Sequence, residues 1–453
     1  AMSRRRPTVG SADANVGVPD GRSLPRLLAE VPSAGAMSLE HHLAVHGELP
    51  YEQRSRRQES PLIGRVERAG LRGRGGAGFP TALKLRAVAH GRRPIVVINA
   101  AEGEPASLKD RTLSELLPHL MLDGGELAAR AVGAEEAIVC VCETAIASIE
   151  SVSMAIEERV GLGAASSVRM RLSVVPSGYV AGQESALVNH LNGGPAIPTF
   201  TPPRPFEQGV RRRPTLINNA ETLAQIALIA RYGSSWFREL GTPSQPGSTL
   251  VTLSGPVVYP GVYEIEHGAS LASLIDAAGG SSAPARAALF GGYAGAWIEG
   301  SLLGGVSLSD EHLAIHGASL GAGVVLLLSE SACPVAETAR VARWLADQSA
   351  RQCGPCLNGL DALATNVEDI AAGSANGGAG EPIKRLAGLV RMRGACGHPD
   401  GVVKLILSAL ETFAAEFADH ARHGPCESCD GVAELPLGSG RASDARRRDP
   451  VAF

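Results

Sequence analysis

The stretch that most constrains this chain is glycine-rich. It reads Gly70-Leu-Arg-Gly-Arg-Gly-Gly-Ala-Gly-Phe-Pro-Thr81 and is followed by an apolar, helix-competent run to Val88. Glycine permits positive φ and lets another group approach the backbone amides closely. Successive amides in such a loop form an anion-binding concavity, and a helix N-terminus directly behind it adds positive potential. The spacing is neither the dinucleotide-binding fingerprint nor the phosphate loop of nucleotide hydrolases. The stretch therefore predicts a floor for a flat phosphorylated ligand, with a glycine-rich surface turn as the alternative.

Composition narrows the class of protein. The 453 residues are enough for about three domains with substantial cores. A net charge of −4 argues against nucleic acid as the main partner. No apolar run approaches the roughly 18 residues that span a bilayer, and the N-terminal arginines precede no apolar signal segment. We therefore expect a cytoplasmic protein without direct membrane insertion, and its eight cysteines indicate metal or redox chemistry rather than disulfides.

The pattern along the chain predicts a layered organisation. Residues 1–55 indicate a loosely ordered arm with a short helical patch near Leu24–Leu28. Residues 56–238 alternate apolar strands and helices, which is typical of an α/β layer fold. The strands are predicted at 94–99, 137–142 and 168–175. Ligands of open α/β sheets bind beyond the carboxyl ends of the strands. Asn99, Glu102 and Glu104, which follow the first strand, are therefore expected to meet the ligand of the glycine loop.

Two later motifs place polar residues at similar turns. Ser177-Gly-Tyr-Val-Ala-Gly-Gln-Glu-Ser-Ala-Leu-Val-Asn189 reads as a strand end, a tight turn and a helix start. Pro214-Thr-Leu-Ile-Asn-Asn-Ala-Glu-Thr-Leu223 places two uncharged amides just before a helix. Such amides suit hydrogen bonds to a neutral ring or a ribityl chain. Each motif taken singly is also compatible with an ordinary turn or helix cap.

Together, in this order and spacing, the four motifs strongly resemble the NADH-oxidising FMN subunit of respiratory complex I and its relatives in NAD-linked hydrogenases and formate dehydrogenases. The resemblance covers about residues 56–420. It implies an α/β domain that binds FMN and nucleotide, in which a nicotinamide gives a hydride to the flavin and electrons leave singly. The residues implied for FMN are Gly73, Arg74, Gly75, Gly76, Gly78, Lys84, Asn99, Glu102, Gly182, Asn218, Asn219 and Thr222. Those implied for NADH or NADPH are Phe79, Glu104, Glu184 and Arg204.

Residues 239–330 resemble the small β-grasp domain of the soluble-ligand-binding type that occupies this place in the family. Ser254–Glu264 reads as two strands joined through a Pro-Gly turn, and Ser270–Ala278 reads as a helix. A glycine-rich return follows at 289–297. Such modules elsewhere bind sugars or cobalamin, and the alternative is a structural wedge beside the flavin domain.

Residues 331–420 are predicted to form a helical bundle, with helices at 335–345, 359–367, 382–391 and 402–417. The resemblance implies that this bundle holds a 4Fe–4S cluster on Cys353, Cys356 and Cys396. The first ligand position of the family motif is Ala350 here, and three thiolates do not make the usual four-cysteine site. Three outcomes stay open: a non-cysteine ligand or Cys426 or Cys429 from the 421–453 tail completes the cluster; the cluster is labile or three-iron; or the site is empty. Cys333 is a poor replacement, because a helix separates it from the motif by about 20 Å.

Other departures from the family concern the nucleotide. Ala101 replaces an aspartate, Gln183 replaces an acidic residue, and Ala87 and Arg204 stand where relatives often place phenylalanine. Because aromatic stacking contributes about 1 kcal/mol per ring, we expect weaker or different NADH binding. Arg204, with Arg211–Arg213 nearby in sequence, could favour a 2′-phosphate, as in NADP sites. Alternatively, these arginines are solvated or face a partner.

Three functions follow from the resemblance and its departures. The first is an NAD(P)H dehydrogenase that passes electrons to a ferredoxin-like or thioredoxin-like iron–sulfur protein or to a larger redox complex. The second is an FMN and iron–sulfur electron-transfer protein that exchanges electrons with protein partners and does not oxidise NADH. The third is a non-catalytic assembly subunit, which the intact flavin-loop residues disfavour.

Overall fold

The protein's structure, a computed structural model, describes residues 24–50, 58–161, 168–374 and 380–438, and the backbone of 8–11. Much of the predicted N-terminal arm and the end of the predicted tail lie outside the described residues. The described part of the arm contains a strand, β1 (Thr8–Ser11), and a helix, α1 (Leu39–His46). The helical patch predicted at 24–28 is wrong. The segment forms turns instead, because the amides of Arg26, Leu27 and Leu28 donate to the Glu264 carboxylate at 2.8–3.1 Å.

The first sheet lies in an α/β unit, as the alternating pattern predicted. Its elements in chain order are α2 (Pro61–Ala69), α3 (Thr81–Ala89), β2 (Ile95–Ala100), α4 (Lys109–Leu116), α5 (Pro118–Val132), β3 (Glu136–Cys142), α6 (Ile146–Gly161), β4 (Arg169–Val175), α7 (Glu184–Leu191), β5 (Thr215–Asn219) and α8 (Ala220–Phe237). The strand order is β4-β3-β2-β5, and all neighbours are parallel. The chain winds outward from β2 through β3 to β4 and then returns to the other side of β2. The boundary between β2 and β5 is therefore a topological switch point, where open α/β sheets form a crevice.

The second sheet is mixed and has six strands in the order β1-β7-β6-β10-β8-β9. Its elements after β1 are β6 (Ser248–Ser254), β7 (Gly261–Glu266), α9 (Leu271–Ala277), β8 (Ala285–Phe290), β9 (Ala296–Glu299), α10 (Asp310–Ile315) and β10 (Val324–Ser329). The strand pair and the helix expected between 254 and 278 are present, and β1 pairs in parallel with β7.

Five helices follow the second sheet: α11 (Pro334–Asp347), α12 (Leu360–Ala371), α13 (Glu381–Val390), α14 (His398–Thr412) and α15 (Ala414–His423). The single helix predicted at 402–417 is wrong, because the chain leaves helical geometry at Phe413, whose φ and ψ are −113° and 35°. Phe413 is buried and packs edge-on against Trp297 of β9, with ring centroids 5.3 Å apart. Anchoring Phe413 on the second sheet gives the chain a physical reason to bend there.

Candidate flavin and nucleotide site

The carboxyl ends of β2 and β5 bring two of the predicted amides side by side. The strand register pairs Asn99 with Asn219. Asn219 caps the N-terminus of α8, since its Oδ1 accepts the amide of Glu221 at 3.1 Å, and its Nδ2 donates to Asp110 at 2.6 Å. Asn99 donates from Nδ2 to the carbonyl oxygen of Gly182 at 2.8 Å. The switch point thus joins the 99–104, 182–184 and 218–222 motifs, which sequence reasoning grouped only by resemblance.

The glycine loop closes on itself beside this edge. The amide of Gly73 donates to the Phe79 carbonyl at 2.9 Å, and the amide of Thr81 donates to the Leu71 carbonyl at 3.0 Å. Gly76 and Gly78 adopt φ of 100° and 59°, which side chains rarely adopt. The amide of Arg74 donates to Thr222 Oγ1 at 2.8 Å. The loop is therefore fixed to the start of α8, next to Asn219.

Arg74 was expected among the FMN-binding residues, but its guanidinium points into the second sheet. Its Nη1 lies 2.5 Å from Nε2 of His267, and its Nη2 donates to the Ser248 carbonyl at 3.1 Å. Burial lowers the pKa of Arg74, while the carboxylates of Glu221 and Asp310 oppose that shift. The backbone of Arg74 belongs to the loop, whereas its side chain joins the loop to the second sheet.

Lys109 is a buried cation that sequence analysis did not place in the site. Its Nζ lies 2.8 Å from Asp110 Oδ1, 3.2 Å from Glu221 Oε2 and 3.0 Å from Asn219 Oδ1. Burial alone lowers the pKa of Lys109, but the surrounding carboxylates more than offset this effect and raise it. The available sequence signal was scarcity, since only four of the 42 basic residues are lysines.

Glu102 shapes the site from inside the protein. Its carboxylate accepts the Ser107 hydroxyl at 2.5 Å and the amides of Asp110 and Arg111 at 3.2 Å. It thereby caps the first turn of α4. Burial and the neighbouring Asp110 raise the pKa of Glu102. These contacts assign Glu102 to holding the helix that carries Lys109, and they give it no free oxygen pointing at a ligand by themselves.

Glu104 links the two sheets. Its Oε2 accepts the amide of Tyr293 at 2.8 Å and the hydroxyl of Tyr179 at 3.4 Å. Burial raises the pKa of Glu104 to about 7, against the lowering effect of these hydrogen bonds. Tyr179 and Tyr293 were not predicted as site residues. Tyr179 stands in the quoted 177–189 motif, whereas Tyr293 comes from a segment whose approach to Glu104 requires the tertiary fold.

Two turns cross at backbone distance beside Glu104. A Cβ added to Gly182 would lie 2.3 Å from the Ala101 carbonyl oxygen, and one added to Gly103 would lie 2.7 Å from the Tyr179 carbonyl oxygen. Gln183, which replaces an acidic residue of the family, caps α7 by accepting the amides of Ser185 and Ala186 at 2.7 and 3.1 Å. The substitution therefore preserves the local geometry.

Lys84 and Glu184, predicted for flavin and nucleotide respectively, form an ion pair at the surface of this site. Lys84 Nζ also donates to the Ile217 carbonyl at 2.7 Å, which fixes it beside β5. Near this pair, the structure leaves Phe79 half exposed and Phe200 65% exposed. Phe200 was missed by sequence analysis, although it lies only four residues before Arg204. Arg204 itself is exposed.

The arginines after Arg204 do not extend the nucleotide site. Arg211 binds Glu136, the first residue of β3, and Arg213 donates to the carbonyls of Arg93 and Pro94 before β2. These contacts place both arginines at the amino edge of the parallel sheet, opposite the glycine loop. The expectation that they help to bind a 2′-phosphate is wrong for this reason.

The fit of a flavin was tested on a buried polar atom and on the space beside the glycine loop. Among the described residues, Nδ2 of buried Asn218 has no hydrogen-bond partner, so it is available to a ligand. A cleft of about 220 Å³ opens along the loop. Its lining includes Gly73, Gly76, Lys109, Gln245 and Asp310. A free amide, exposed loop glycines and a buried cation fit a phosphorylated, hydrogen-bonding cofactor.

The three predicted cluster cysteines come together at the end of the bundle near α7. Cys353 accepts the amides of Ala395 and Cys356 and a hydrogen bond from the Cys356 thiol, which hold its pKa below the usual value against the effect of burial. Burial, together with Cys353, raises the pKa of Cys356 to about 12. Cys396 also lies close enough to interact electrostatically with Cys353. Three soft ligands with amide donors fit one side of an iron–sulfur cluster, and Gln352 donates to the Pro198 carbonyl, two residues before Phe200, at 2.5 Å.

Cys426 and Cys429 do not complete this set. Both lie with Cys333 and His420 in a group whose ligand atoms are all within 4.8 Å of one another. Cys333 precedes α11, whose 14 residues extend about 21 Å, and Cys353 follows the far end of that helix. The expectation that the tail supplies the fourth ligand is therefore wrong.

The fold and site define a class: an FMN-binding redox protein with a parallel α/β sheet and an iron–sulfur region. Comparison with protein families agrees with this class. Residues 66–228 match the Nuo51 FMN-binding domain, 250–292 the SLBB domain, and 336–420 the NADH-ubiquinone oxidoreductase-F iron–sulfur binding region. The chain belongs to the family of NADH dehydrogenase flavoproteins, and it is an NAD(P)H dehydrogenase-type oxidoreductase with an FMN domain and a 4Fe–4S region.

Individual relatives are similar over most of their length. The F 2 polypeptide of the NADH-quinone oxidoreductase of Rhizobium meliloti is 34% identical over 379 residues, which cover 81% of this chain and 90% of the relative. The HndC polypeptide of the NADP-reducing hydrogenase of Solidesulfovibrio fructosivorans is 29% identical, over 81% and 77% respectively. The crystal structure of an NAD+-reducing NiFe hydrogenase in the H2-reduced state superposes with a TM-score of 0.78 and 29% identity, over 92% of this chain and 68% of that one. These relatives are named as components of larger redox complexes.

The helices of the described ranges were also compared with the requirements of a membrane span. None of them combines the length and the apolar character needed to cross a bilayer.

Proposed function

We propose that this chain takes a hydride from NADH or NADPH onto FMN and passes single electrons to a protein acceptor through the cluster region. When bound, FMN supplies the exchange between two-electron hydride chemistry and one-electron transfer. The observation that carries the proposal is the convergence at the β2–β5 switch point of the glycine loop, the Asn99–Asn219 pair and the unpartnered amide of Asn218.

The residues of the chain divide the work of binding. Loop amides at Gly73, Gly75, Gly76 and Gly78 would hold the phosphate, and Asn218 would hydrogen-bond the ring or ribityl chain. Lys84, fixed to the Ile217 carbonyl, supplies a positive charge near the ring edge that favours an anionic form of a bound flavin. Lys109 contributes positive potential from below and keeps Asn219 in position.

The nucleotide would lie above this floor, against the exposed ring of Phe79 and between Glu184 and Glu104. Both carboxylates can accept hydrogen bonds from nucleotide hydroxyl or carboxamide groups. Phe200 is a candidate for the stacking contact that Ala87 and Arg204 no longer supply. Gln183 supports retention of nucleotide chemistry, because its side chain maintains the α7 cap instead of leaving a gap.

We assign the remaining units by the same reasoning. The second sheet with α9 and α10, in residues 239–330, is proposed to be the β-grasp module, and α11–α15, in 331–420, the cluster bundle. Cys353, Cys356 and Cys396 would hold the cluster, with the fourth position left to a non-cysteine ligand. Leu357 and Met392 are 49% and 86% exposed beside the cysteine segments and suit the docking of a ferredoxin-like or complex-bound acceptor. The alternative function, electron transfer without NADH oxidation, is favoured only by the absent aromatic side chain at Ala87.

The flavin assignment is tested by Asn218→Ala. The variant is expected to bind FMN roughly 5- to 30-fold more weakly, the equivalent of one lost hydrogen bond of about 1–2 kcal/mol. Its free energy of unfolding without FMN is expected to stay nearly unchanged, because the amide nitrogen has no partner among the described residues. Fluorescence titration of flavin-depleted protein measures the affinity. The control is Asn366→Ala, which removes a 2.8 Å bond to the Ala362 carbonyl inside α12 and leaves FMN affinity alone. Equal affinities in the wild type and the Asn218 variant would refute this assignment.

A further inference from the structure

A second group of metal-type ligands lies away from the flavin site and the cluster cysteines. Cys333, His420, Cys426 and Cys429 each present one ligand atom, and these atoms all lie within 4.8 Å of one another. Cys333 and His420 are buried, Cys429 is half-buried and Cys426 is at the surface. The four residues come from the start of α11, the last turn of α15 and the turn that follows it.

The separations match the edges of a single-ion tetrahedron. The Sγ atoms of Cys426 and Cys429 are 3.7 Å apart, and those of Cys429 and Cys333 are 3.5 Å apart. His420 Nε2 lies 3.4 Å from the Cys333 sulfur and 3.8 Å from the Cys429 sulfur. Tetrahedral zinc, with Zn–S of about 2.3 Å and Zn–N of about 2.0–2.1 Å, separates its sulfurs by about 3.8 Å and sulfur from nitrogen by about 3.5 Å.

The hydrogen bonding of His420 favours the form that binds a metal. Its Nδ1 lies 3.2 Å from the carbonyl oxygen of Ala371, the last residue of α12. A carbonyl can only accept, so Nδ1 carries the proton and Nε2 of the neutral ring presents its lone pair to the sulfurs. Orientation of a ligating histidine by a backbone carbonyl on its other nitrogen is the usual arrangement around protein-bound metals.

The cysteines are also placed as thiolate ligands are. Cys333 is the N-cap of α11, and its sulfur accepts the Ala336 amide at 3.3 Å, where the positive end of the helix stabilises negative charge. Cys426 and Cys429 form a Cys-x-x-Cys turn closed by a 3.0 Å bond from the Cys429 amide to the Cys426 carbonyl. Cys-x-x-Cys with a distant cysteine and histidine is a zinc-site spacing.

We propose that Cys333, His420, Cys426 and Cys429 bind one structural Zn²⁺ ion, separate from the iron–sulfur cluster. Three thiolates and an imidazole in tetrahedral arrangement select zinc over harder cations, and four protein ligands leave no open position for catalysis. The family's iron–sulfur region matches 336–420, so three of the four ligands lie outside it.

The zinc ion would fix the C-terminal tail to the bundle. Beyond the Cys-x-x-Cys turn, the amides of Glu434 and Leu435 donate to the Glu337 carboxylate at 2.9 and 3.2 Å. The Pro436 carbonyl accepts the Tyr293 hydroxyl at 2.6 Å. Tyr293 is the residue whose amide binds Glu104 at 2.8 Å. The metal would therefore anchor a tail that supports the nucleotide side of the flavin site.

Metal analysis of the full-length protein, purified anaerobically, tests the proposal. About one zinc per chain is expected, and X-ray absorption at the zinc edge should show three sulfurs at about 2.3 Å and one nitrogen at about 2.0–2.1 Å. Cys426→Ser should lose the zinc while iron and FMN contents stay at wild-type values. Cys142→Ser, at a thiol that contacts Thr144 and Ser177, is the control and should keep the zinc. Cys353→Ala should lower iron and leave zinc unchanged.

Three results would overturn the proposal. One is wild-type protein without stoichiometric zinc. Another is a Cys426→Ser protein that loses iron instead, which would assign these ligands to an iron centre. The third is zinc coordinated by other ligands in the absorption spectrum. Because Cys426→Ser could fail to fold, Cys426→His serves as a ligand-preserving second variant, and it should retain zinc with a spectrum of two sulfurs and two nitrogens.

Discussion

Replacing Lys109 with methionine is expected to lower the free energy of unfolding by about 3–5 kcal/mol, because it leaves the carboxylates of Asp110 and Glu221 buried without their shared cation. Methionine has a similar length and no charge, so the loss is electrostatic rather than a packing defect. The variant should also release FMN. Lys109 holds the Asn219 oxygen at 3.0 Å, and Asn219 faces the glycine loop at Gly75.

Urea unfolding followed by circular dichroism measures the stability change, and filtration followed by flavin absorption measures retained FMN. Lys384→Met is the matched control, since it removes an exposed pair with Glu381 whose side chains are 61% and 83% accessible. A surface pair of this kind contributes about 0–1 kcal/mol. Similar stability and flavin content in the two variants would contradict the role of Lys109.

The second large effect is expected at Gly182. In Gly182→Ala the new Cβ would lie 2.3 Å from the Ala101 carbonyl oxygen, a backbone atom, so one of the two crossing turns must move. Overpacking against a well-packed backbone costs about 1–3 kcal/mol or more. Movement of the Gly182 turn would also break the 2.8 Å hydrogen bond from Asn99, which stands at the flavin edge of β2. We expect a less stable protein with weakened FMN binding.

Gly388→Ala provides the control for the glycine substitution. Gly388 is an exposed position of α13 where an added Cβ meets nothing within 4 Å. Alanine is favoured over glycine in a helix by about 1 kcal/mol, so this variant should be as stable as the wild type or more stable. Thermal unfolding and FMN titration of both variants give the comparison. A Gly182→Ala protein with wild-type stability and affinity would show that the crossing turns do not support the site.

Local patterns in the sequence predicted the parallel α/β unit well. The strands at 95–100, 136–142 and 169–175 appear where apolar runs end in polar residues, and periodicity located α11, α12 and α13. The break between α14 and α15 escaped prediction, because it depends on Phe413 packing against Trp297 of a distant strand. The turns at 24–28 escaped for a similar reason, since Glu264 binds their amides from more than 230 residues away.

The site divides along the same line. Resemblance identified the motifs, but tertiary contacts decide what each side chain does. Arg74 and Glu102 have the expected positions in the chain, yet the Arg74 side chain bonds His267 and the Glu102 side chain caps α4. Tyr293 reaches Glu104 from the second sheet. Cys426 and Cys429 meet Cys333 only through the packing of the bundle helices, and no sequence spacing encodes that meeting.

The central claim is that this chain oxidises a nicotinamide nucleotide with bound FMN, and anaerobic flavin reduction tests it most directly. NADH and NADPH are added separately to FMN-containing protein while the visible flavin absorption is recorded, and dithionite serves as the positive control. We predict that at least one of the two nucleotides bleaches the flavin at near-stoichiometric concentration. A flavin that dithionite reduces, and that stays oxidised with both nucleotides, would contradict the claim.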